Sequence, residues 1–328
     1  MPKRAKIKYD VAILAFFALL SLTFAAFSTK LAVESYKAPI KQIASVASAN
    51  LGAANSAQND TAQNNTQNPT RTNIKIPFVP TEADAYVIYD ASSKTVLSSK
   101  NNSKLLPLAS LTKVFTAILA LETLGKESVI TIKPSDLETE GESGLKANSH
   151  WKVKELVPFM LVVSSNDAAT ALARAMQEKT GKSYKKLFKE LANKLGAKSA
   201  FALNPSGLDE SINMSGAYAS AEDVAKAVSY AARKHLDVFE KTTKTQLKFY
   251  DEDGNEYKAK NTNQAIEFIF NPLLSKTGFT DLAGGNLAIA FELEPGHTIA
   301  IVVLASSKEG RFKDVEKLYK ATIQYLSQ

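Results

Sequence analysis

Three short polar segments interrupt apolar stretches of the sequence, and each carries residue types that could do chemistry. In the first, PLASLTKVFTAILA, Ser110 and Lys113 lie one helical turn apart. At this spacing both side chains share one face of a helix. A lysine among apolar residues loses hydration, which lowers its pKa, so its neutral amine could take a proton from the serine. The alternative is that Ser110 caps the helix and Lys113 extends to solvent.

The second segment is MLVVSSNDAATALA, where Ser164 and Asn166 stand two residues apart. A serine hydroxyl there could relay a proton, and an asparagine amide could orient a substrate carbonyl. The alternative is that Ser164 or Ser165 caps a helix in a polar loop. By itself, this segment does not distinguish a functional serine and asparagine from a helix cap.

The third segment, LLSKTGFTDLAG, has Lys276, Thr277 and Gly278 where a strand is expected. A lysine and a threonine could bind the anionic end of a substrate, and a glycine in a strand lets another backbone approach closely. The alternative is an exposed edge strand protected by its lysine.

Hydrophobic periodicity predicts the elements that must position these segments. Alternating patterns predict a hairpin in AYVIYDASSKTVLSSK and another in NLAIAFELEPGHTIAIVVLAS, with its turn at Pro295 and Gly296. Helical patterns cover 110–124, 153–178, 183–195 and 220–234, and a closing helix has Val315, Leu318, Tyr319 and Ile323 on one face. Strands at both ends with helices between them predict an α+β domain whose terminal strands share an antiparallel sheet.

The residues before this domain divide into three parts. Residues 1–10 form a basic flank expected in the cytoplasm, and residues 11–29 contain an uncharged apolar run typical of a transmembrane signal-anchor or a cleaved signal peptide. Residues 30–79 become rich in Ala, Asn, Gln, Ser and Thr, which predicts a flexible linker. The globular domain is expected over 80–328.

Composition excludes several kinds of function. The net charge is +7, but residues 1–79 hold nine basic and three acidic side chains, so the folded part is nearly neutral. Nucleic-acid binding is therefore not expected. The sequence has no cysteine and three histidines, which leaves little material for thiolate chemistry, a Ser-His-Asp triad or a metal site.

The order S-x-x-K, S-x-N, K-T-G is far more specific than any of the three alone. With AYVIYDASSKTVLSSKN, PLASLTKVFTA, VSSNDAATALA, NPSGLDE and SKTGFTDLAG, the chain resembles the low-molecular-mass D-alanyl-D-alanine carboxypeptidases, the penicillin-binding protein 5-like serine peptidases. The resemblance covers about residues 80–310. It implies a β-lactamase/transpeptidase-like fold, in which an antiparallel sheet flanked by helices and a helical subdomain enclose the active site.

The resemblance also implies roles for residues. Ser110 would be the nucleophile, Lys113 its base and Ser164 a proton relay. Substrate would be bound by Asn166, Lys276, Thr277, Gly278 and Phe279, with the backbone N–H groups of Ser110 and Phe279 forming the oxyanion hole. Neither a metal nor an organic cofactor is required.

The implied partners are the D-Ala-D-Ala end of a peptidoglycan stem peptide and β-lactams as covalent inhibitors. The N-terminal segment would contact the membrane, placing the domain on the extracytoplasmic face of a bacterial cell, anchored or secreted. Relatives often carry a further β-rich domain and a C-terminal amphipathic anchor. The further domain is not expected here, because only about 20 residues follow the last strand. The anchor is not expected because the closing helix has Lys and Glu on its polar face and an apolar face of the kind that packs against a protein core.

Three alternatives remain at the level of sequence. A D,D-endopeptidase of the same family would cut cross-links instead of trimming stem-peptide ends. A class A β-lactamase would need a deacylating glutamate in an E-x-x-L-N loop, which is missing; Glu190, in a helical pattern, is the nearest candidate. An inactive peptidoglycan-binding module would not need the serine–lysine pair.

Overall fold

The computed structural model of the protein describes residues 75–141 and 143–326. The expected cytoplasmic flank, the segment 11–29 and the linker up to residue 74 lie outside the described residues. Within the described ranges, no helix is both long and apolar enough to span a membrane.

The strands are β1 (Ala85–Asp90), β2 (Thr95–Lys100), β3 (Leu106–Pro107), β4 (Val129–Thr131), β5 (His150–Lys152), β6 (Phe201–Ala202), β7 (Ala217–Ala219), β8 (Gln246–Tyr250), β9 (Glu256–Lys260), β10 (Pro272–Thr280), β11 (Gly284–Glu294) and β12 (His297–Ser306). The α-helices are α1 (Thr112–Thr123), α2 (Val153–Val163), α3 (Asn166–Thr180), α4 (Tyr184–Leu195), α5 (Ala221–Lys234), α6 (Leu236–Phe239) and α7 (Gly310–Leu326).

The main sheet is antiparallel, with the strand order β10-β11-β12-β1-β2. Its first and last strands in the chain pair directly, with Ala85 opposite Leu304. The predicted turn at Pro295 and Gly296 is also present, since Glu294 pairs with His297 across it. The α+β prediction with a shared antiparallel sheet is therefore confirmed.

The two faces of this sheet bury two separate cores, as the alternation of side chains along a strand requires. On β12, Ala300 and Val302 belong to the core shared with the helices, whereas Ile299 and Ile301 belong to the core beneath α7. On α7, Val315, Leu318 and Tyr319 are buried and Ile323 is partly buried, as the closing-helix pattern predicted.

The helix α1 is buried on every side. All its residues from Thr112 to Leu121 are buried, and it packs against α2, α3, α4 and α5. A helix that is apolar all round is stable only inside a core. This helix therefore holds the lysine of the first polar segment at a fixed position within the domain.

The predicted helix over 153–178 is wrong in one respect, because it is two helices. The helix is interrupted at Ser164, which has a left-handed φ of +62° and ends α2. Ser165 then caps α3 by accepting a hydrogen bond of 3.0 Å from the N–H of Ala168. Serine and asparagine favour caps over helix interiors, so the polar run stops one helix and starts the next.

The folded domain includes residues that precede the expected boundary at residue 80. Ile76 is only 4% exposed, and its N–H donates to the carbonyl oxygen of Leu97 on β2 at 2.9 Å. Residues 76–79 therefore belong to the folded domain. The short pairs β4–β5 and β8–β9 and the small sheet of β3, β7 and β6 were not predicted from the sequence.

Candidate active site

Ser110 lies where the buried helix begins. It belongs to a 3-10 turn, Ala109–Leu111, that leads directly into α1. The turn brings Ser110 Oγ to 2.8 Å from Nζ of Lys113. The serine is partly exposed, whereas Lys113 is fully buried. A molecule in solvent can therefore reach the hydroxyl, which the amine contacts from the interior.

Among the residues that the structure describes, Lys113 has three hydrogen-bond partners, and none of them is a carboxylate. Beyond Ser110, its Nζ donates to Asn166 Oδ1 at 2.7 Å and to the carbonyl oxygen of Ser206 at 2.8 Å. Burial, and then the positive charge of Lys276, lower the pKa of Lys113 well below its usual range. In the neutral amine, two N–H groups suffice for Asn166 and Ser206, and the lone pair faces the Ser110 hydroxyl.

The break between α2 and α3 places Ser164 beside a second lysine. Nζ of Lys276, on β10, donates to Ser164 Oγ at 2.9 Å and to the carbonyl oxygen of Thr277 at 2.7 Å. Burial, and then the positive charge of Arg311, lower the pKa of Lys276 to about 7. Near neutral pH, this amine can therefore gain or lose a proton next to the serine.

Asn166 joins the helical part of the site to the first serine–lysine pair. Its Oδ1 accepts from Lys113, and its Nδ2 donates to the carbonyl oxygen of Glu140 at 2.6 Å. One Nδ2 hydrogen remains for another acceptor. The asparagine therefore fixes the position of the Lys113 amine and can still orient a carbonyl.

Strand β10 passes so close to Ser110 that only glycine fits at position 278. A Cβ built on Gly278 would lie 2.9 Å from the carbonyl oxygen of Leu108 and 3.2 Å from the backbone N of Ser110. The strand and the serine turn therefore touch through their backbones. This contact sets the width of the site between Ser110 and the edge of the sheet.

Arg311, at the start of α7, lies behind the same strand. It is buried, and its Nη1 donates to the carbonyl oxygen of Gly278 at 2.7 Å. Because the Gly278–Phe279 peptide is trans, the Phe279 N–H points away from Arg311. Arg311, and Lys276 when its amine is protonated, make the site positive, and in the described part of the chain neither of them nor Lys113 is paired with a carboxylate.

Thr277 is almost fully buried, with a neighbour from the loop that follows β9. Its Oγ1 lies 2.6 Å from Oγ1 of Thr262. Phe279, two residues further along β10, is 43% exposed, and Nζ of Lys308 lies 5.2 Å from the centre of its ring. Beyond Phe279 the strand borders a cavity of about 490 Å³, whose other wall includes Leu208 and Ile212.

The three histidines contact residues outside the site. His150 contacts Asp253 at 3.0 Å, and His297 contacts Asp90 at 3.0 Å on the hairpin turns of the main sheet. His235 lies beside the ring of Tyr230. The base nearest Ser110 is thus a lysine amine. Among the described residues, no group of three or more histidine and acidic side chains is placed to hold a metal ion.

The structure brings together the eight residues to which the resemblance assigns catalytic or binding roles, and it adds three more. Ser110, Lys113, Ser164, Asn166, Lys276, Thr277, Gly278 and Phe279 line one site, joined by Ser206, Thr262 and Arg311. Ser206 lies in NPSGLDE, a segment already noted in the sequence, but its contact is a backbone carbonyl. Thr262 and Arg311 stand in no distinctive pattern.

The chain is similar to known proteins in sequence and in fold. A family model described as D-alanyl-D-alanine carboxypeptidase matches residues 70–308. The chain belongs to the D-alanyl-D-alanine carboxypeptidase family. It is 30% identical to D-alanyl-D-alanine carboxypeptidase DacF of Bacillus subtilis over 72% of this chain and 61% of that protein. It therefore spans less than two thirds of that relative's length.

Two further known proteins are similar to the chain. A D-alanyl-D-alanine endopeptidase of Haemophilus influenzae is 32% identical over 62% of this chain and 69% of that protein. The crystal structure of penicillin-binding protein D2 from Listeria monocytogenes in its ampicillin-bound form is similar with a TM-score of 0.61 and 28% identity, over 75% of this chain and 98% of that one. The expected β-lactamase/transpeptidase-like fold is confirmed by such penicillin-binding neighbours.

Glu190 is not part of the site. It lies exposed on α4, where its carboxylate pairs with Nζ of Lys182 at 2.8 Å. The residue that the sequence offered as a deacylating glutamate of a class A β-lactamase therefore faces solvent.

Proposed function

We propose that the protein is a serine-type D-Ala-D-Ala carboxypeptidase that removes the terminal D-alanine from peptidoglycan stem peptides. The observation that carries this proposal is the 2.8 Å contact between the accessible Ser110 hydroxyl and the buried amine of Lys113. Membership of the D-alanyl-D-alanine carboxypeptidase family supports it. The unpaired positive charge beneath the site suits a substrate that ends in a carboxylate.

In the first step, the neutral amine of Lys113 takes the Ser110 proton while Oγ bonds to the carbonyl carbon of the penultimate D-alanine. The carbonyl oxygen becomes an oxyanion, which the N–H groups of Ser110 and Phe279 stabilise. Thr277 and Lys276 bind the terminal carboxylate, and Asn166 orients the peptide through its remaining amide hydrogen.

In the second step, the bond between that carbonyl carbon and the nitrogen of the terminal D-alanine breaks. The proton held by Lys113 returns to the leaving amine through the Ser164 hydroxyl, which Lys276 orients at 2.9 Å. Free D-alanine departs, and an ester on Ser110 remains. A water molecule then hydrolyses the ester and releases the shortened peptide.

A β-lactam would acylate the same oxygen, because its ring amide mimics the D-Ala-D-Ala end of the substrate. The amine released when the ring C–N bond breaks stays attached to the acyl group, so no product departs. The Listeria monocytogenes relative in its ampicillin-bound form supports this part of the proposal. Hydrolysis of the acyl-enzyme is expected to be slow.

The test combines a fluorescent penicillin with a stem peptide that ends in D-Ala-D-Ala. The wild type should form a covalent adduct and release D-alanine, and Ser110→Ala should do neither. Ser92→Ala is a matched control, since its hydroxyl lies in the exposed β1–β2 turn and donates to the carbonyl oxygen of Gly296. A wild type that forms no adduct would contradict the proposal.

An endopeptidase activity is the second candidate, because the similar Haemophilus influenzae protein is named a D-alanyl-D-alanine endopeptidase. Incubation with cross-linked stem-peptide dimers distinguishes the carboxypeptidase activity from the endopeptidase activity. Cleavage of dimers without release of terminal D-alanine would favour the endopeptidase.

We also propose that the domain works on the extracytoplasmic face of a bacterial membrane, anchored or exported by residues 11–29. The uncharged apolar run VAILAFFALLSLTFAAF after a basic flank supports this. Fractionation and N-terminal sequencing of the protein from cells would separate an anchored chain from a cleaved one. Recovery of an intact chain from the cytosol would contradict both.

A further inference from the structure

We propose that Thr262 is a specificity-determining residue that binds the terminal carboxylate of the substrate together with Thr277. The inference rests on the proposed peptidase function. It is carried by the 2.6 Å contact between the two hydroxyl oxygens, one on the edge strand of the site and one on a loop opposite it.

The loop that presents Thr262 is held rigidly on both sides. Before it, Nδ2 of Asn261 donates to the carbonyl oxygens of Thr242 at 2.6 Å and Lys244 at 3.0 Å. After it, Asn263 is buried, and its Oδ1 accepts from the N–H of Ala265 at 2.9 Å. Such asparagine side chains fix tight turns. Thr262 lies exposed between two anchored residues, and its hydroxyl is directed at Thr277.

The spacing along β10 places the substrate carboxylate at this hydroxyl pair. The scissile carbonyl must sit between Ser110 Oγ and the Gly278–Phe279 peptide, because Gly278 lies against the backbone of Ser110. The terminal carboxylate is one residue further along the substrate. One residue of strand is about 3.3 Å, so a substrate that lies antiparallel to the edge of β10 has its carboxylate beside Thr277.

Two hydroxyls can bind a carboxylate better than one. Each hydroxyl is one donor and two acceptor sites. When Thr277 donates to one carboxylate oxygen, Thr262 can donate to the other or to Thr277, which polarises the Thr277 hydroxyl. Lys276, whose Nζ contacts the carbonyl oxygen of Thr277, adds positive charge when its amine is protonated, and in the described part of the chain no guanidinium contacts either threonine. Recognition of the carboxylate therefore depends on the hydroxyls.

The test compares a D-Ala-D-Ala peptide with the same peptide ending in a carboxamide. Thr262→Val should lose about ten-fold in kcat/KM for the free acid, mostly through KM, since a hydrogen bond to a charged group is lost. Hydrolysis of the carboxamide should change little, and Thr262→Ser should restore the preference for the acid. Thr95→Val is the matched control, because it removes the 2.7 Å hydroxyl pair of Thr95 and Ser93 at the opposite edge of the sheet.

Three results would overturn the inference. Thr262→Val could lower acid and carboxamide hydrolysis equally, which indicates a structural role, or it could leave both unchanged. The wild type could hydrolyse acid and carboxamide equally, in which case no carboxylate contact operates although the peptidase function stands. If the wild type also forms no penicillin adduct, the failure lies in the proposed function itself and the inference falls with it.

Discussion

At the residue scale, the site depends on lysines that are buried without a carboxylate partner. Desolvation of a charged amine costs free energy, and this cost lowers the pKa of the amine. Lys113 is fully buried, and Lys276 is 2% exposed. Both can therefore hold a free lone pair at pH values where a surface lysine cannot.

Lys113→Arg tests whether acylation of Ser110 requires the lone pair of the Lys113 amine. Arginine keeps hydrogen-bond donors toward Asn166 and Ser206, but it cannot be deprotonated in a protein. Acylation by a fluorescent penicillin should fall by at least about 100-fold, the lower range for loss of a general base. Lys126→Arg, at a surface pair with Asp237, should leave the rate unchanged. Retained acylation in a folded Lys113→Arg protein would exclude lysine as the base.

Arg311→Met tests the electrostatic link between α7 and the site. The positive charge of Arg311 helps to lower the pKa of Lys276 to about 7, so its removal should raise that pKa. NMR titration of ¹³Cε-labelled lysine measures the change. Arg233→Met is the control, because Arg233 also donates to a backbone carbonyl, that of Ala91, but away from the site. An unchanged titration in Arg311→Met would show that burial alone sets the pKa.

The same shift has a consequence for stability. Between pH 7 and the ordinary lysine value of 10.5, Lys276 is neutral in the folded protein and protonated in the unfolded chain. The unfolded state then binds more protons, so this lysine makes the free energy of unfolding rise with pH over that window. As pH falls toward 7, that contribution is lost. Arg311→Met should raise the pKa of Lys276 in the folded protein and so narrow the pH range over which the free energy of unfolding rises. Urea titrations at several pH values would detect this change.

At the element scale, the break between α2 and α3 puts Ser164 and Asn166 into the site. Ser165→Ala removes the cap of α3 and should cost about 1 kcal/mol of stability. Ser220→Ala is a matched control, because Ser220 caps α5 by accepting from the N–H of Asp223 at 3.1 Å. Both variants should lower the unfolding temperature, but only Ser165→Ala should also slow acylation. Equal acylation rates would show that the cap does not position Ser164 and Asn166.

This break also shows what the sequence can and cannot predict. Apolar periodicity runs through both helices, so it predicts one helix over 153–178. The two-residue interruption depends on a left-handed φ at Ser164, a conformation that is uncommon for residues other than glycine and that apolar periodicity does not predict. The order of the three polar segments predicted which residues meet. It could not predict Thr262 or Arg311, because each acts through a contact between segments distant in the chain.

At the scale of the whole molecule, the sheet separates the site from the start of the folded chain. The site lies at β10, one edge of the sheet, whereas Ile76 pairs with Leu97 of β2 at the other edge. Ile76 also packs into the core beneath α7, on the opposite face from α1. Composition predicts a domain boundary at residue 80, because within 76–79 only Ile76 and the partly buried Val79 pack against the core, which is too few residues to show a period.

A chain beginning at residue 71 should therefore be more stable than one beginning at residue 80. The shorter chain loses the burial of Ile76, worth roughly 2 kcal/mol. It also loses the 2.9 Å bond from the N–H of Val79 to the Tyr86 hydroxyl and the 3.2 Å bond from Ser98 Oγ to the carbonyl oxygen of Pro77. Urea unfolding of the two chains measures the difference.

Penicillin acylation should be equally fast in both chains, because the lost contacts lie across the sheet from Ser110. In the chain beginning at residue 71, Ile76→Ala supplies the matched control, since it removes the side chain but keeps the backbone pairing with Leu97. Its stability should fall between those of the two chains. Equal free energies of unfolding for all three chains would mean that the segment 76–79 contributes nothing to the stability of the domain. Slower acylation in the shorter chain would mean that a change at one edge of the sheet affects the site at the other edge.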